Sequence, residues 1–551
     1  MRSPFSFHGE KMKLVTVAQM REIEKEADAN GLPYAEMMEN AGRGLAEIVK
    51  EIAFDDEWEE VLGLVGPGNN GGDTLVALTH LVEEGWHARA YVVKRKKKDE
   101  LVVRFLEAGG EVTFAETDKN LSALGMCFES ADILLDGLLG TGIKLPLKVE
   151  ISAVLEQSLF IMADMEMPPY IVAVDCPSGV DCETGDAALE CLPADLTVTM
   201  AAVKRGLLKL PAFEFVGDLA VVDIGLPDDL ASFYDLKTEV ADHELVSGLL
   251  PERALDSHKG TFGTALIAAG SINYTGAALL AGLAAYRSGA GLVTMAVPSP
   301  LHLVLAGQLP EATWILLPHD MGNIAGDSSA LNKSLESASA LLVGPGIGLE
   351  AKTKEFLEGL LAGKSNAKKQ TSHIGFVHNE NESKEGAFAV LPPMIVDADG
   401  LRLLAQISDW HNKLPPLSVL TPHPGEMSAL TNLSKDEIKN DREAVAGKYA
   451  KEWGHVVVLK GAFTVIASPN GQMTVIPVAS PALARAGTGD VLAGLIVGLR
   501  AQGLDAYDAA VAGAYIHAQA GLLAAEDLGT TASVMASDIL NSVVDVISDL
   551  E

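Results

Sequence analysis

The sequence predicts an α/β protein of two domains with largely parallel sheets. Its 551 residues exceed what one hydrophobic core usually organises. Short apolar runs alternate with helical stretches along most of the chain, a pattern typical of parallel strands covered by helices on both faces. Many of these runs end in glycine-rich turns, and such sheets bind ligands at the carboxyl ends of their strands. We therefore expect one ligand crevice in each domain.

The first domain is expected to open with two helices. Thr16 and Gln19 can form a capping box at the start of the first helix, which Gly31 and Pro33 end. A second helix is expected over residues 34–54, and a further one begins near Asp73. The predicted strands are VLGLVG (61–66), ARAYVV (88–93), ILLDGLLG (133–140), YIVAVDCPSG (170–179) and DLTVTMA (195–201).

An acidic, proline-containing stretch over residues 225–246 is interpreted as the linker, which gives domains of 1–237 and 243–551. A polar, turn-rich segment over residues 364–386 is expected to be an exposed loop insertion. The strands predicted in the second domain are TALIAAG (264–270), GLVTMAVP (291–298), ALLVGPG (340–346), MIVDADG (394–400), LSVLTPHPGE (417–426) and HVVVLKGAFTVIAS (455–468).

Composition excludes several classes of function. Against 41 Lys plus Arg stand 75 Asp plus Glu, a formal net charge of -34, so we expect no nucleic-acid and no membrane partner. The basic run at 94–98 favours a solvated loop over a nucleic-acid patch. Four cysteines without paired spacing predict reduced thiols, and the N-terminus lacks a signal-peptide core. These features indicate a cytoplasmic protein.

The first chemical motif is GPGNNGGDT at 66–74, between a predicted strand and a predicted helix. Its backbone N–H groups would lie at a helix N-terminus and suit a pyrophosphate. A merely tight turn is the alternative, since the spacing differs from the usual GxGxxG. Asp136 precedes a second small loop, Gly140-Thr141-Gly142, and Asp175 precedes a third glycine-rich strand end. Together the three strand ends outline a single crevice.

With these motifs, residues 12–225 resemble the NAD(P)H-hydrate epimerase family. The resemblance implies a catalytic Asp175 at the nicotinamide ring and a K⁺ ion bound by Asn70, Asp136 and Ser178, which offer the oxygen ligands that a hard cation prefers. The stretch after GTG matches the family poorly, so a role of Lys144 as partner of Asp175 is left open. The substrate-binding residues implied are Asn69, Asn70, Gly71, Gly72, Asp73, Gly140, Thr141, Gly142, Ile143, Lys144, Leu145, Pro146 and Asp175.

The second domain carries AGTGDVLAGLIVGLRAQG from Ala486 onwards. Gly487, Thr488 and Gly489 leave a helix start free of large side chains, so its N–H groups can face a phosphoryl group. Asp490 in the first turn is then placed to take a proton from a substrate hydroxyl. The alternative is an aspartate that only complements the helix dipole. This motif resembles the signature of ribokinase-like kinases.

Three further strand ends contribute candidates: Lys460 in LKGAFTVIA, His423 held between two prolines in TPHPGE, and Gly346 in GPGIG. With HKGTFG, DADGL and GTGDVLAG, they make residues 245–548 resemble the NAD(P)H-hydrate dehydratase family. The resemblance implies hydrated dinucleotide at Ala277, Gly346, His423 and Asp490, with Asp490 catalytic. It also implies ADP or ATP, with Mg²⁺, at Lys460, Gly461, Ala462, Phe463, Thr464 and Gly489.

Together the two halves resemble bifunctional NAD(P)H-hydrate repair enzymes. The first domain, Rossmann-like with three α/β/α layers, would epimerise R and S hydrates. The second, ribokinase-like, would phosphorylate the ring hydroxyl of the S form and eliminate phosphate. NADHX and NADPHX are the implied substrates, and a homo-oligomer is expected. Two alternatives remain: a ribokinase-class small-molecule kinase with a nucleotide-binding sensor domain, or a first domain that is a non-catalytic module.

Overall fold

The computed structural model describes residues 12–54, 58–362 and 391–551. It divides into two compact units, Met1–Val240 and Ala241–Glu551, so the division falls within the stretch interpreted as the linker. The predicted insertion at 364–386 lies outside the described residues. No helix in the described ranges is long and apolar enough to cross a membrane. All four cysteines are free and buried.

The first unit begins as predicted, with a helix capped by Thr16 and Gln19. Its elements in chain order are β1 (Leu14–Val15), α1 (Val17–Ala29), α2 (Tyr34–Ala53), β2 (Glu60–Val65), α3 (Asn69–Glu83), β3 (His87–Val92), α4 (Glu100–Ala108), β4 (Glu111–Phe114), α5 (Ser122–Phe128), β5 (Ile133–Gly137), α6 (Val149–Ala163), β6 (Tyr170–Val174), β7 (Leu196–Met200), β8 (Val203–Lys204), β9 (Asp218–Val222), α7 (Ala231–Tyr234) and β10 (Thr238–Val240).

The main sheet of the first unit is parallel throughout, in the order β4-β3-β2-β5-β6-β7-β9. Successive side chains of a strand point to opposite faces. In β2, Val61 and Val65 accordingly join the core on one face, whereas Leu62 and Leu64 join the core on the other. Helices cover both cores, which confirms the predicted three-layer α/β/α domain. The strand order reverses between β2 and β5, and ligands of such sheets bind where it does.

The second unit is also α/β. Its elements in chain order are α8 (His243–Ser247), β11 (Thr264–Ala268), α9 (Thr275–Arg287), β12 (Leu292–Pro298), α10 (His302–Ala306), β13 (Thr313–Leu317), β14 (His319–Asp320), β15 (Asn323–Ile324), α11 (Asn332–Leu335), β16 (Ala340–Val343), α12 (Ala351–Ala362), β17 (Met394–Val396), α13 (Asp399–Leu404), α14 (Trp410–Lys413), β18 (Val419–Leu420), α15 (Pro424–Thr431), α16 (Lys435–Asn440), α17 (Arg442–Trp453), β19 (Val456–Leu459), β20 (Val465–Ala467), β21 (Met473–Val475), α18 (Thr488–Ala501), α19 (Ala506–Asp527) and α20 (Ala536–Leu550).

The strands of the second unit follow the order β21-β20-β19-β18-β17-β16-β11-β12-β13. From β19 to β13 every pair is parallel, whereas β20 and β21 run antiparallel, as the strand, turn and strand predicted for LKGAFTVIA require. The order reverses between β11 and β16. The carboxyl ends of these two strands therefore flank the expected crevice.

Helices α9 and α18 pack closely through small residues on one face of this sheet. A Cβ atom at Gly494 would lie 2.4 Å from the carbonyl oxygen of Ala281 and 2.7 Å from the Cβ atom of Ala284. Both distances are shorter than a non-bonded contact allows, so the helices can approach this closely only while position 494 is glycine. Because α18 carries the GTGD motif at its start, this packing also fixes the direction of that helix.

We predict that Gly494→Ala destabilises the second unit by about 1 to 3 kcal/mol, because the added methyl group must push α9 away. Urea unfolding of the full chain measures the change. Gly276→Ala is the matched control: Gly276 lies in the partner helix α9, and its added Cβ meets nothing within 4 Å. The control should be neutral or stabilising. Equal effects of the two substitutions would contradict the packing argument.

Candidate active sites in the two units

In the first unit, a turn over residues 66–68 joins β2 to α3, at the point where the strand order reverses. The NNGGD motif forms the first residues of α3, which begins at Asn69 and not near Asp73 as predicted. Two of its glycines are required by close backbone approach: a Cβ atom at Gly66 would lie 1.8 Å from the Leu138 oxygen, and one at Gly71 would lie 2.1 Å from the Gly66 oxygen. Gly68 is different, since its Cβ would meet nothing within 4 Å. A tight turn is thus sufficient to explain why glycine is required at positions 66 and 71. Gly68 is not required for that reason, and it leaves open space beside the N-terminus of α3.

The three predicted ion ligands lie together around Leu139. The side-chain amide of Asn70 donates to the Leu139 carbonyl oxygen over 2.9 Å, and the backbone N–H of Leu139 donates to the hydroxyl of Ser178 over 2.9 Å. The backbone N–H of Ser178 in turn donates to Oδ2 of Asp136 over 2.8 Å. The structure therefore brings Asn70, Asp136 and Ser178 to one point.

Asp136 is completely buried, and its Oδ1 atom has no hydrogen-bond partner among the described residues. Burial raises the pKa of this carboxyl, although hydrogen bonds from Ser178 act in the opposite direction. A buried carboxylate oxygen without a donor is costly unless a cation or another donor meets it. The donor set at this point, an amide, a carboxylate and a hydroxyl, fits a hard monovalent cation.

Asp175 follows β6 and is held in a left-handed backbone conformation, with φ of 64°. Its Oδ1 atom accepts three hydrogen bonds, from the Thr199 hydroxyl (3.1 Å), the Met200 backbone N–H (3.1 Å) and the Lys204 ammonium. The Oδ2 atom has no donor among the described residues. The carboxylate is therefore fixed through one oxygen, while the other is left for a ligand.

Sequence reasoning missed Lys204. Its side chain is only 2% exposed and pairs with Asp175, and it also donates to the Thr199 hydroxyl and the Met200 carbonyl oxygen, both over 2.9 Å. Lys144, by contrast, is exposed in the loop that follows Gly142 and makes no ion pair with Asp175. The cationic partner of Asp175 is therefore Lys204 and not Lys144.

Two more carboxyl groups, those of Asp73 and Glu24, lie close enough to Asp175 for its charge to affect their pKa values. Burial raises the pKa of Asp73 well above its usual value, and the charges of Asp175 and Glu24 raise it further. Burial likewise raises the pKa of Glu24, a residue of the first helix. Burial therefore favours the protonated form of Asp73 beside Asp175, which is the form that a proton donor requires.

The remaining predicted epimerase residues occupy two loops at this edge of the sheet. A Cβ atom at Gly140 would lie 2.5 Å from the Asn70 Oδ1 atom, so the second loop contacts the first. Gly142 is exposed, and its Cβ would meet nothing within 4 Å. Asn69 is exposed at the start of α3. The half-buried or exposed residues beside these glycines are Thr141, Ile143, Lys144, Leu145 and Pro146.

In the second unit, α18 begins at Thr488 after a left-handed Gly487, with φ of 91°. Asp490 lies in the first turn, as predicted. Burial raises the pKa of Asp490 to about 7, and the nearby charges of Asp397, Asp399 and Glu426 add to this effect, while Lys460 opposes it. A carboxyl with a pKa near neutrality is suited to general-base work.

Lys460 lies beside this helix start, since a Cβ atom at Gly489 would be 3.3 Å from its Nζ atom. Its ammonium is 2.7 Å from Oδ1 of Asp397 and 3.9 Å from Oε2 of Glu426. Burial lowers the pKa of Lys460, but these two carboxylates raise it by more, so the group is firmly cationic. Sequence reasoning did not assign Asp397, although the DADGL motif contains it.

The other predicted nucleotide residues form the turn between β19 and β20. Gly461 has φ of 147° and Phe463 has φ of 53°, so the turn is held in an unusual backbone conformation. The hydroxyl of Thr464 donates to the Gly461 carbonyl oxygen over 2.9 Å and closes the turn. Gly461 and Ala462 are exposed at its tip.

His423 is the N-terminal cap of α15 and forms a capping box with Glu426. Its Nδ1 atom accepts from the backbone N–H groups of Gly425 (2.9 Å) and Glu426 (3.3 Å), while its side chain remains 44% exposed. Burial and the nearby Lys460 charge lower the pKa of His423 to about 4. His423 is therefore neutral at physiological pH, with Nδ1 bonded to the helix start and Nε2 at 3.3 Å from Oε1 of Glu426.

Ala277 and Gly346 face each other across the crevice between β11 and β16. A Cβ atom at Gly346 would lie 2.9 Å from the Ala277 Cβ and 2.6 Å from that of Tyr274, and Gly346 has φ of 61°. The same loop reaches Asp399, whose Oδ2 atom accepts from the Gly348 backbone N–H over 3.0 Å. This hydrogen bond places the loop after β16 beside the start of α13.

Comparison with known proteins supports both halves of the chain. Residues 265–543 match the family model described as NAD(P)H-hydrate dehydratase, and residues 34–206 match that of the YjeF-related protein N-terminus. The bifunctional NAD(P)H-hydrate repair enzyme of Moorella thermoacetica is 34% identical over 98% of this chain and 97% of its own length. The chain belongs to the bifunctional NAD(P)H-hydrate repair enzyme family. A ribokinase-like fold of its second unit stays a prediction, whereas the predicted α/β class is confirmed.

Two other repair enzymes of the same name show similar agreement. The enzyme of Salinibacter ruber is 36% identical over 93% of this chain and 92% of its own length. The enzyme of Escherichia coli K12 is 32% identical over 96% of this chain and 93% of its own length. An ADP/ATP-dependent NAD(P)H-hydrate dehydratase from Bacillus subtilis, co-crystallised with ATP and Mg²⁺, is 30% identical with a TM-score of 0.45, covering 57% of this chain and 98% of its own. Because the relatives match both units, a kinase with a separate sensor domain is not favoured.

We predict that Lys204→Met lowers the stability of the first unit by about 3 to 5 kcal/mol, because it leaves the buried Asp175 carboxylate without a counter-charge. Urea unfolding measures the change. Adding Asp175→Asn to this variant should recover most of the loss, since the site is then neutral. Lys25→Met, at an exposed position of α1, is the control and should change little. A loss below about 1 kcal/mol for Lys204→Met would contradict the compensation argument.

Proposed function

We propose that this chain repairs hydrated nicotinamide dinucleotides. The first domain, residues 1–237, interconverts the R and S hydrates of NADH and NADPH. The second domain, residues 243–551, converts the S hydrate to the dinucleotide with ADP or ATP. The observation that carries the proposal is Asp490 in the first turn of α18, beside Lys460, in a chain that belongs throughout its length to the repair enzymes.

In the second site, Asp490 takes the proton of the ring hydroxyl as the hydroxyl oxygen attacks the terminal phosphoryl group of the nucleotide. The N–H groups at the start of α18 stabilise the phosphoryl group in transit, and the Lys460 ammonium adds positive charge. Phosphate then leaves with the electron pair of the bond between its oxygen and the ring carbon, while the lone pair of the ring nitrogen stabilises that carbon. The neighbouring ring carbon then loses a proton. The double bond of the dihydronicotinamide ring is thereby restored.

Ala277, Gly346 and His423 hold the hydrated ring against Asp490. The neutral His423 offers a hydrogen-bonding edge without adding a second charge. The turn at residues 460–464 holds the nucleotide, and Mg²⁺ arrives with its phosphates, as this ion is usually bound in proteins. Magnesium bound through the nucleotide phosphates requires no metal site made only of protein side chains. Within the described ranges, no group of three or more His, Cys, Asp or Glu side chains could hold a metal ion.

In the first site, the hydrated carbon bears both the hydroxyl group and the ring nitrogen. Oδ2 of Asp175 accepts the hydroxyl proton while the carbon–nitrogen bond opens to an aldehyde, and Asp73 gives its proton to the ring nitrogen. Closure on the other face of the aldehyde reverses both transfers and yields the opposite epimer. The fixed Oδ1 of Asp175 and the raised pKa of Asp73 support these two roles.

We also propose that the first site binds K⁺ through Asn70, Asp136 and Ser178. The ion would supply positive charge to the buried oxygen of Asp136 and order the loops after β2 and β5, which carry the substrate residues. A cytoplasmic location is supported by four free thiols, and a homo-oligomer stays a prediction.

We predict that Asp490→Asn lowers dehydration of the S hydrate by about 10² to 10⁴-fold, because the general base is lost. The increase in dihydronicotinamide absorbance with ADP or ATP and Mg²⁺ measures this rate. In the wild type the rate should rise with pH through about 7, as Asp490 loses its proton, and this dependence should vanish in the variant.

The control for this experiment is Asp175→Asn, which changes the equivalent group in the other unit. It should slow epimerisation of the R hydrate and leave dehydration of pure S hydrate within about twofold. Asp490→Asn should have the reverse pattern and should still bind nucleotide. If Asp490→Asn keeps dehydration within about threefold of the wild type, the kinase-like mechanism is wrong.

We predict that epimerisation depends on K⁺ and that Asp136→Asn weakens this dependence, because the amide cannot offer a full negative charge to the ion. Initial rates of R-to-S conversion are measured at equal ionic strength in K⁺ and in a bulky organic cation, without ADP or ATP. Asp132→Asn, one residue before β5 begins, is the control variant and should keep the K⁺ dependence. Equal wild-type rates in both cations would remove the ion from the proposal.

A further inference from the structure

The basic run at residues 94–98 stands out in a chain of net charge -34 and has no role in the two catalytic crevices described above. We infer that it binds the 2′-phosphate of NADPHX, so that the first unit favours NADPHX over NADHX. This inference rests on the proposed epimerase function and adds a specificity-determining site to it. A solvated loop, the interpretation favoured from sequence, explains only part of what the structure contains.

The basic run follows strand β3 of the main sheet. Strand β3 lies directly beside β2 and parallel to it, with Val92 paired to Val65. The residues after β3 therefore emerge at the same edge as the glycine-rich loop after β2. In a strand, glycine-rich turn, helix and strand unit, the end of the second strand is where the ribose 2′ position is recognised: an acidic residue accepts from a 2′-hydroxyl, whereas a cation accommodates a 2′-phosphate. Lys94 and Arg95 occupy this position.

A direct contact attaches the run to the ligand loop. The Arg95 guanidinium donates to the carbonyl oxygens of Gly66 (3.2 Å) and Gly68 (3.0 Å), and pairs with Asp99 at 3.1 Å. Gly68 is the glycine whose side-chain space is open. Arg95 is thus a positioning residue: it holds the basic segment against the loop that would carry the pyrophosphate, and its own charge is already neutralised.

The charges that remain available are those of Lys96 and Lys98. Lys94 pairs with Glu150 at 2.7 Å, and the Lys97 ammonium lies 5.0 Å from the centre of the Phe114 ring. Lys96 and Lys98 are exposed, and their side-chain ammonium groups have no ion pair or hydrogen bond among the described residues. Two uncommitted ammonium groups, two residues apart, suit a doubly charged phosphate monoester.

The acidic groups near the run limit the inference to a local ligand. Glu116 accepts from the Lys94 backbone N–H over 3.2 Å, and Asp99 and Glu100 follow the run directly. These carboxylates would repel an extended polyanion such as a nucleic acid. A single phosphate fixed at one end of a bound dinucleotide meets only the two free lysines.

The test compares epimerisation of NADPHX and NADHX by the full chain in the absence of ADP and ATP, when the second unit cannot turn over. Initial conversion of each pure R hydrate to its S epimer is followed by chromatography, with the spontaneous rate subtracted. The wild type should have the higher kcat/KM for NADPHX. Lys96→Glu/Lys98→Glu should raise KM for NADPHX about tenfold or more, because two charge-assisted contacts become repulsive.

The same variant should keep kcat for NADPHX and both constants for NADHX within about twofold, since the phosphate is remote from the reacting carbon. Lys439→Glu/Lys451→Glu is the matched control, with the same change of net charge at exposed positions of the second unit. It should leave all constants unchanged. Inorganic phosphate should compete with NADPHX and not with NADHX, and added salt should narrow the wild-type preference.

An unchanged ratio of kcat/KM for the two hydrates in the Lys96→Glu/Lys98→Glu variant overturns the inference, whatever preference the wild type has. Equal losses on both hydrates also overturn it, because they place the lysines at a group that the two substrates share. If the wild type epimerises neither hydrate, the proposed epimerase function itself fails, and the two failures are thereby distinguished.

Discussion

Parallel strand pairing is the constraint on which both sites depend. Parallel strands end at the same edge of a sheet, and where the strand order reverses, the connections leave that edge in opposite directions and open a crevice. In the first unit this happens between β2 and β5, and in the second between β11 and β16. Residues as distant in sequence as Asn70 and Ser178, or Ala277 and Gly346, become neighbours for this reason.

The two crevices also handle buried charge in a similar way. In each, a buried or largely buried lysine is paired with a carboxylate that follows a strand: Lys204 with Asp175, and Lys460 with Asp397. Each site also holds a second carboxyl in the first turns of a helix that begins after a glycine-rich turn, Asp73 in α3 and Asp490 in α18. The lysine forms an ion pair with the first carboxylate, while burial raises the pKa of the second carboxyl.

Much of this organisation could be predicted from the sequence because buried parallel strands are continuous apolar runs and catalytic loops are rich in glycine. The edge strand β4 was missed because EVTF lacks such a run, whereas β9 was missed although DLAVV contains four consecutive apolar residues. Lys204 was missed for a different reason. It lies 29 residues beyond Asp175 in a two-residue strand, and no local spacing relates the two. Only its complete burial in the folded chain reveals its role.

The similarity between the sites ends at the protonation state of the second carboxyl. Asp73 is buried, and burial raises its pKa well above the usual value, which favours the protonated form that can donate a proton. Asp490 is only partly buried, Lys460 lies beside it, and its pKa reaches about 7. It can therefore lose its proton and act as a base. The proposed mechanism thus gives opposite proton transfers to two carboxyls near helix starts, and burial raises the pKa of both.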